Sequence, residues 1–172
     1  MFFLALVSVS LLFCIFKASF QKEEDLGDLE RFELVYVIDG DTIICKNDDH
    51  PEGIKVRYIG VDAPESVAKE EYLTRTHQEN CEEGIIASKR NAQLLQDGIV
   101  YLGYDEERID PYGRLLAYVY YYDDGLHMVQ EVLLQEGLCS AVSIYPNVSY
   151  SPVFEALQKD AYIKGLGIWN RE

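Results

Sequence analysis

The sequence predicts an α+β protein, mainly β: an OB-type five-stranded Greek-key barrel with three helices. Three observations carry that expectation. Segments rich in Val, Ile and Tyr alternate with helical patterns in the order three strands, a helix, two strands and two helices. Turn-forming Gly, Pro, Asn and Asp punctuate the series. A chain of 172 residues, 48% hydrophobic and 26% charged, suits one globular domain with a single core.

Taken in order, strand patterns run over about 32 to 38, 42 to 46 and 54 to 61. The last two are joined by KNDDHPEG, a hairpin loop in composition. The polar stretch from Ser66 to Cys81 reads as a loop. In EEGIIASKRNAQLLQDG, Ile85, Ile86, Ala92 and Leu95 recur at roughly helical spacing and Gly98 stops the element. IVYLGY and LLAYVYYY are the next two strands, the second ending in a DDG turn at 123 to 125. HMVQEVLLQEG places Val129, Val132 and Leu133 on one helical face and stops at Gly137. In SPVFEALQKDAYIKG, Ser151 is a candidate cap, Pro152 suits the first turn, Phe154, Leu157 and Ala161 line a face, and Gly165 ends it. Trp169 reads as a core plug beneath this last helix, and the run Tyr118, Tyr120, Tyr121 and Tyr122 as ordinary strand aromatics before a base-stacking stripe.

Residues 1–20 open with MFFLALVSVSLLFCIF, an apolar run that suits a signal-peptide core or an uncleaved signal anchor. Residues 21–31 are a charged linker, and 32–172 form the folded domain. A secreted or membrane-anchored protein is the expectation. Outside the leader, Cys45, Cys81 and Cys139 are an odd set, open to one pair plus a free thiol or to three thiols. No CxxC or His/Cys cluster supports zinc, and His50, His77 and His127 read as isolated surface residues. Asn147-Val148-Ser149 is a glycosylation sequon, relevant only in a eukaryotic secretory setting.

Thirty Asp and Glu against fifteen Lys and Arg give a net charge of -15, which disfavours general adhesion to polyanions. A polyanion would need a local basic site or a bound cation. Two strand-like runs nevertheless break off into carboxylates, VIDGDT and VRYIGVDAPE. If those ends converge, Asp39, Asp41, Asp62 and Glu65 offer hard oxygens suited to Ca²⁺, with water completing the coordination. Gly40 permits a tight turn and Pro64 stiffens the backbone between Asp62 and Glu65. Strand alternation sends Arg57 opposite to Val56 and Tyr58, and the Pro-Tyr-Gly turn projects Arg114. The structural alternatives are a capped turn for DGD, an ion pair for Arg57 and a solvated turn residue for Arg114.

In combination, VIDGDT, VRYIGVDAPE, DPYGRLLAYVY, LLQEGLCSAV and KGLGIW, in this order, resemble the thermonuclease family typified by staphylococcal nuclease, across about residues 32 to 170. The resemblance implies a calcium-dependent endonuclease that cleaves the 5′ P–O bond of DNA and/or RNA and leaves 3′-phosphates. It implies Asp41, Asp62 and the backbone carbonyl of Ala63 as calcium ligands, the last standing where the family often has Thr. Glu65 matches the general base or water-orienting acid, and Arg57 and Arg114 the arginines on the scissile phosphate. Tyr112 and Tyr145 match tyrosines near the nucleotide, while Asp39 and Thr42 stand behind the metal position. A monomer is expected. Pro111 replaces a basic phosphate contact and Ser143 an aromatic of the base pocket, departures expected to weaken substrate binding more than chemistry. Two rival expectations are a non-catalytic nucleic-acid or protein-binding module of the same fold and a calcium-binding surface protein. Retention of all five acids and arginines at the site argues against the first, and activity lost with either arginine while calcium still binds would argue against the second.

Overall fold

The computed structural model describes residues 26–66 and 75–170, with backbone alone for 75–81. The leader and residues 67–74 of the expected loop lie outside them. β1 (Glu30–Val37), β2 (Thr42–Lys46) and β3 (Ile54–Tyr58) form an antiparallel meander. β5 (Ile99–Gly103) pairs with β1, and β6 (Leu115–Tyr122) pairs antiparallel with β5 and parallel with β3. That last pairing closes a five-stranded barrel, the expected architecture. Inward residues such as Phe32, Ile43, Val56, Val100 and Val119 are fully buried, as period-2 alternation requires.

Three α-helices occur among the described residues: α1 (Arg75–Leu94), α2 (Val129–Gln135) and α3 (Ser151–Lys164). α2 follows β7 (Leu126–Met128), a short hairpin partner of β6, and buries Val129, Leu133 and Leu134. Gln130 is buried with them because its amide has full partners, accepting from Val119 N–H and donating to the carbonyls of Ala117 and Ile59.

Several expectations need correcting. The third strand does not run to 61: it turns at Ile59-Gly60, where Gly60 has φ 81° and lies against the Phe154 ring. The chain then re-enters a two-residue strand, β4 (Val61–Asp62), paired with β8 (Ser140–Ala141). Residues 75–81, expected in a loop, are already helical. On α1 the buried face is Gly84, Ala87 and Asn91, running on to Leu95 just past its end, whereas Ile85, Ile86 and Ala92 are exposed. Tyr150, not Ser151, precedes the first turn of α3, and Gly165 ends it with φ 65° as expected. Trp169 sits half-buried in a 3₁₀ turn edge-on to Tyr162 and is no core plug. Cys45 and Cys139 are both free and buried, which excludes a bond between them. Tyr118 is 3% exposed, packed on Tyr150 and Phe154, and so is structural.

Candidate active site

The first acidic loop links β1 to β2. Its turn is closed by Ile38 and Asp39 N–H donating to the Thr42 carbonyl, and by Asp41 N–H donating to the Asp39 carboxylate at 3.1 Å. Asp41 is 1% exposed. Its Oδ1 accepts from the Thr42 hydroxyl at 3.0 Å and from Arg57, and its Oδ2 accepts from Ala63 N–H at 2.7 Å. Burial pushes its carboxyl up to about 7, against the opposing pull of the Arg57 charge and the Ala63 hydrogen bond. Gly40 is needed for space and not for a left-handed φ: a Cβ there would lie 2.6 Å from that of Ala63 and 2.8 Å from that of Ala87.

Arg57 points away from the buried Val56 and Tyr58, as alternation requires. Its guanidinium joins Asp41 to Asp62, the latter at 2.6 Å, and also donates to the Val61 carbonyl at 3.3 Å. Burial alone would lower its pKa, but the facing carboxylates raise it and keep it charged. The short β4 carries Asp62, exposed, into Ala63-Pro64-Glu65, where Glu65 is also exposed. Arg114 arrives from the other side. The Asp110 carboxylate organises its turn, accepting from Tyr112 and Arg114 N–H, both at 2.9 Å, and from Arg114 Nε at 2.6 Å. Asp110 is held below the ordinary carboxylate range: burial would raise it, but these hydrogen bonds outweigh that. Parallel pairing sets Arg57 level with Leu116, so the two arginines come to the same end of the barrel.

Arg57, Asp62, Glu65, Tyr112, Arg114 and Tyr145 line one cleft of about 470 Å³. Tyr112 and Tyr145 are 85% and 87% exposed on its rim. Asp41, Ala63, Asp39 and Thr42 lie behind it, tied to Arg57 through the Asp41 carboxylate. Pro111 lines the cleft too, whereas Ser143 Oγ is 3.4 Å from Glu155 and Ile144 takes the wall position.

No group of three or more His, Cys, Asp or Glu among the described residues forms a ready ligand cage. The donor chemistry still fits a hard divalent cation: two carboxylates, Asp41 and Asp62, meet at one guanidinium, and Asp41 is buried to the point that its charged form is disfavoured.

Sequence reasoning missed Asn91 and Asp110, and read Asn147 only as a glycosylation sequon. Asn147 is buried, with its amide paired to both the N–H and the carbonyl of Glu107, so it braces the cleft wall. A polar residue at helical spacing from Ala87 was the available signal for Asn91, and Asp-x-x-Gly-Arg for Asp110.

An OB-type barrel whose cleft combines two guanidiniums with carboxylates defines a class, proteins that act on phosphodiesters rather than merely hold them. The chain matches the family model described as staphylococcal nuclease homologue over residues 55–171. It is 40% identical over 142 residues to a thermonuclease of Staphylococcus intermedius, covering 83% of this chain and 77% of that protein. Identity is 37% over 157 residues to the endonuclease YncB of Bacillus subtilis, 90% and 69% of the two chains. It is 38% over 136 residues to the SPbeta prophage-derived endonuclease YokF of the same organism, 78% of this chain and 42% of that longer protein. The chain belongs to the staphylococcal nuclease homologue family. It is a nuclease, a hydrolase acting on nucleic acid.

Proposed function

We propose that the protein is a calcium-dependent endonuclease that hydrolyses the 5′ P–O bond of DNA, RNA or both, leaving 3′-phosphates. Arg57 and Arg114 donate to the phosphoryl oxygens, where charge accumulates as water adds to phosphorus. Glu65 orients that water and takes its proton, while the 5′ oxygen leaves and is protonated from solvent. Asp41, Asp62 and the Ala63 carbonyl would hold the metal, with Asp39 and Thr42 fixing Asp41 from behind. Calcium, when bound, supplies positive charge to the phosphoryl oxygens. Tyr112 and Tyr145 offer ring faces to the nucleotide from the rim.

The observation that carries this reading is the convergence of Glu65, Arg57 and Arg114 in one cleft with Asp41 buried directly behind. The all-oxygen donor set suits a hard divalent cation, and calcium is the one the family resemblance implies. The reading extends to a monomer exported or held at a membrane by residues 1–20. Among the described residues no helix is long and apolar enough to cross a membrane, and the leader lies outside them. The test is cleavage of single-stranded DNA and RNA at low salt, with calcium against chelator and Glu65→Gln beside the unmodified chain. Calcium-dependent cleavage with 3′-phosphate ends, abolished by Glu65→Gln in a folded protein, is the expected result. Cleavage indifferent to both would sink the assignment.

A further inference from the structure

One face of α1 touches both acidic loops. Asn91, fully buried, donates from Nδ2 to the carbonyls of Asp39 at 3.1 Å and Gly40 at 3.4 Å, and its Oδ1 accepts from the buried Tyr58 hydroxyl at 2.9 Å. One turn earlier, Ala87 fills the space beneath Gly40, where an added Cβ would come within 2.8 Å of its own. One further turn back, Gly84 lies flush against the second loop: a Cβ there would meet the Glu65 carbonyl oxygen at 2.3 Å and the Pro64 carbonyl oxygen at 2.5 Å. Backbone, unlike a side-chain end, cannot swing aside. The two loops are joined to each other by the Ala63 N–H that Asp41 accepts at 2.7 Å.

We infer that Asn91 and Gly84 are positioning residues for the nuclease reaction, with α1 serving as the gauge that fixes the Asp41 turn against the Glu65 backbone. Neither touches the cleft, so neither is catalytic. The inference rests on the assignment of Asp41 and Glu65 made above. Its physical basis is that hydrolysis needs the water-orienting carboxylate and the phosphate-binding groups held to a fraction of an ångström. Glycine at 84 costs helix propensity, so its presence in the middle of α1 needs the close approach to explain it.

The test uses the full chain with single-stranded DNA and calcium. Asn91→Leu and Gly84→Ala are compared with Leu95→Ala, a core truncation just beyond the end of α1. At a temperature where all are folded, kcat is expected to fall about tenfold to a hundredfold in the first two, with KM within about twofold. Leu95→Ala is expected to lose thermal stability but keep kcat. Hydrogen exchange at the Ala63 amide is expected to quicken in Asn91→Leu while the Val100 and Val119 amides keep their protection. If kcat merely tracks stability across the three variants, or Ala63 exchange is unchanged, the gauge is refuted. If the unmodified chain fails to cleave, the site assignment fails by itself and Ala63 exchange alone decides the inference.

Discussion

Replacing Arg57 by Ala should destabilise the protein more in mild alkali than in mild acid. Asp41 is 1% exposed, and among the described residues Arg57 is its only charged donor. Removing one partner of a buried pair costs about 3–5 kcal/mol because the other charge is left uncompensated. The Thr42 hydroxyl and Ala63 N–H remain to Asp41, Arg57 is itself 23% exposed, and the carboxyl can take up a proton instead of staying charged, so the loss falls below that range, about 2 kcal/mol at pH 8. At pH 5 the folded Asp41 is mostly protonated, its pKa raised from 3.8 to about 7 by burial. No charge is then orphaned, and the loss shrinks to hydrogen bonding and packing, about 1 kcal/mol. The sign follows from linkage. A carboxyl whose folded pKa exceeds its unfolded one ionises first in the unfolded chain, so the unmodified protein loses stability between about pH 4 and pH 7. Without Arg57 the folded pKa climbs further and the decline extends to higher pH. Urea unfolding at pH 5 and pH 8, with chelator throughout, measures both losses. An equal loss at the two values, or a larger one at pH 5, would refute the argument.

Asp110→Ala should release Arg114 from its turn, lowering kcat/KM about tenfold or more while costing about 2 kcal/mol of stability through the lost hydrogen bonds to its largely covered carboxylate; steady-state kinetics beside thermal unfolding separates the two. Burial pushes the Cys45 thiol up to about 12 and the Cys139 thiol also well above its ordinary range, so both should resist alkylation in the folded protein at pH 8 and react on unfolding, as peptide-level mass spectrometry can follow. Affinity of the Glu65→Gln protein for single-stranded DNA should fall with salt at a log–log slope near about -1.4, the value for two phosphate contacts, and a slope several times steeper would mean that cations outside the cleft dominate.

The barrel was legible because each strand announces itself by alternation and each turn by its Gly, Asn or Asp. The helical face of α1 was not. Ile85 and Ile86 look like core residues, yet the side facing the barrel had to be thin enough for backbone to approach, so Gly84 and Ala87 are buried and the isoleucines are exposed. Hydropathy ranks apolar bulk and is blind to a requirement for its absence. The short β4–β8 pair escaped for a related reason: two residues make no pattern, and their pairing depends on a partner some 80 residues away. At the site, residue types and spacing singled out the acids and arginines that converge. Which side chains hold them, namely Asn91, Asp110 and Asn147, depended on contacts across 52, 4 and 40 residues of sequence, only the second of which is local.

The placement of carboxylates at strand ends now has a physical account. Asp41 and Asp62 pair with a single guanidinium, that of Arg57, with Asp39 acting on it from behind and Glu65 in the same cleft, while Arg114 is partly neutralised by Asp110. A site built only to bind a polyanion would not carry that excess of negative charge, because each further carboxylate opposes the phosphate it is meant to hold. Nor would a purely structural pair explain it, since Asp41 is desolvated to the point that burial outweighs its own arginine. The arrangement becomes favourable once another hard cation shares the carboxylates, relieving Asp41 and leaving guanidinium capacity for phosphate. The acidity of the cleft is therefore an argument for the proposed calcium, and the protein's net charge of -15 makes that local cation matter more.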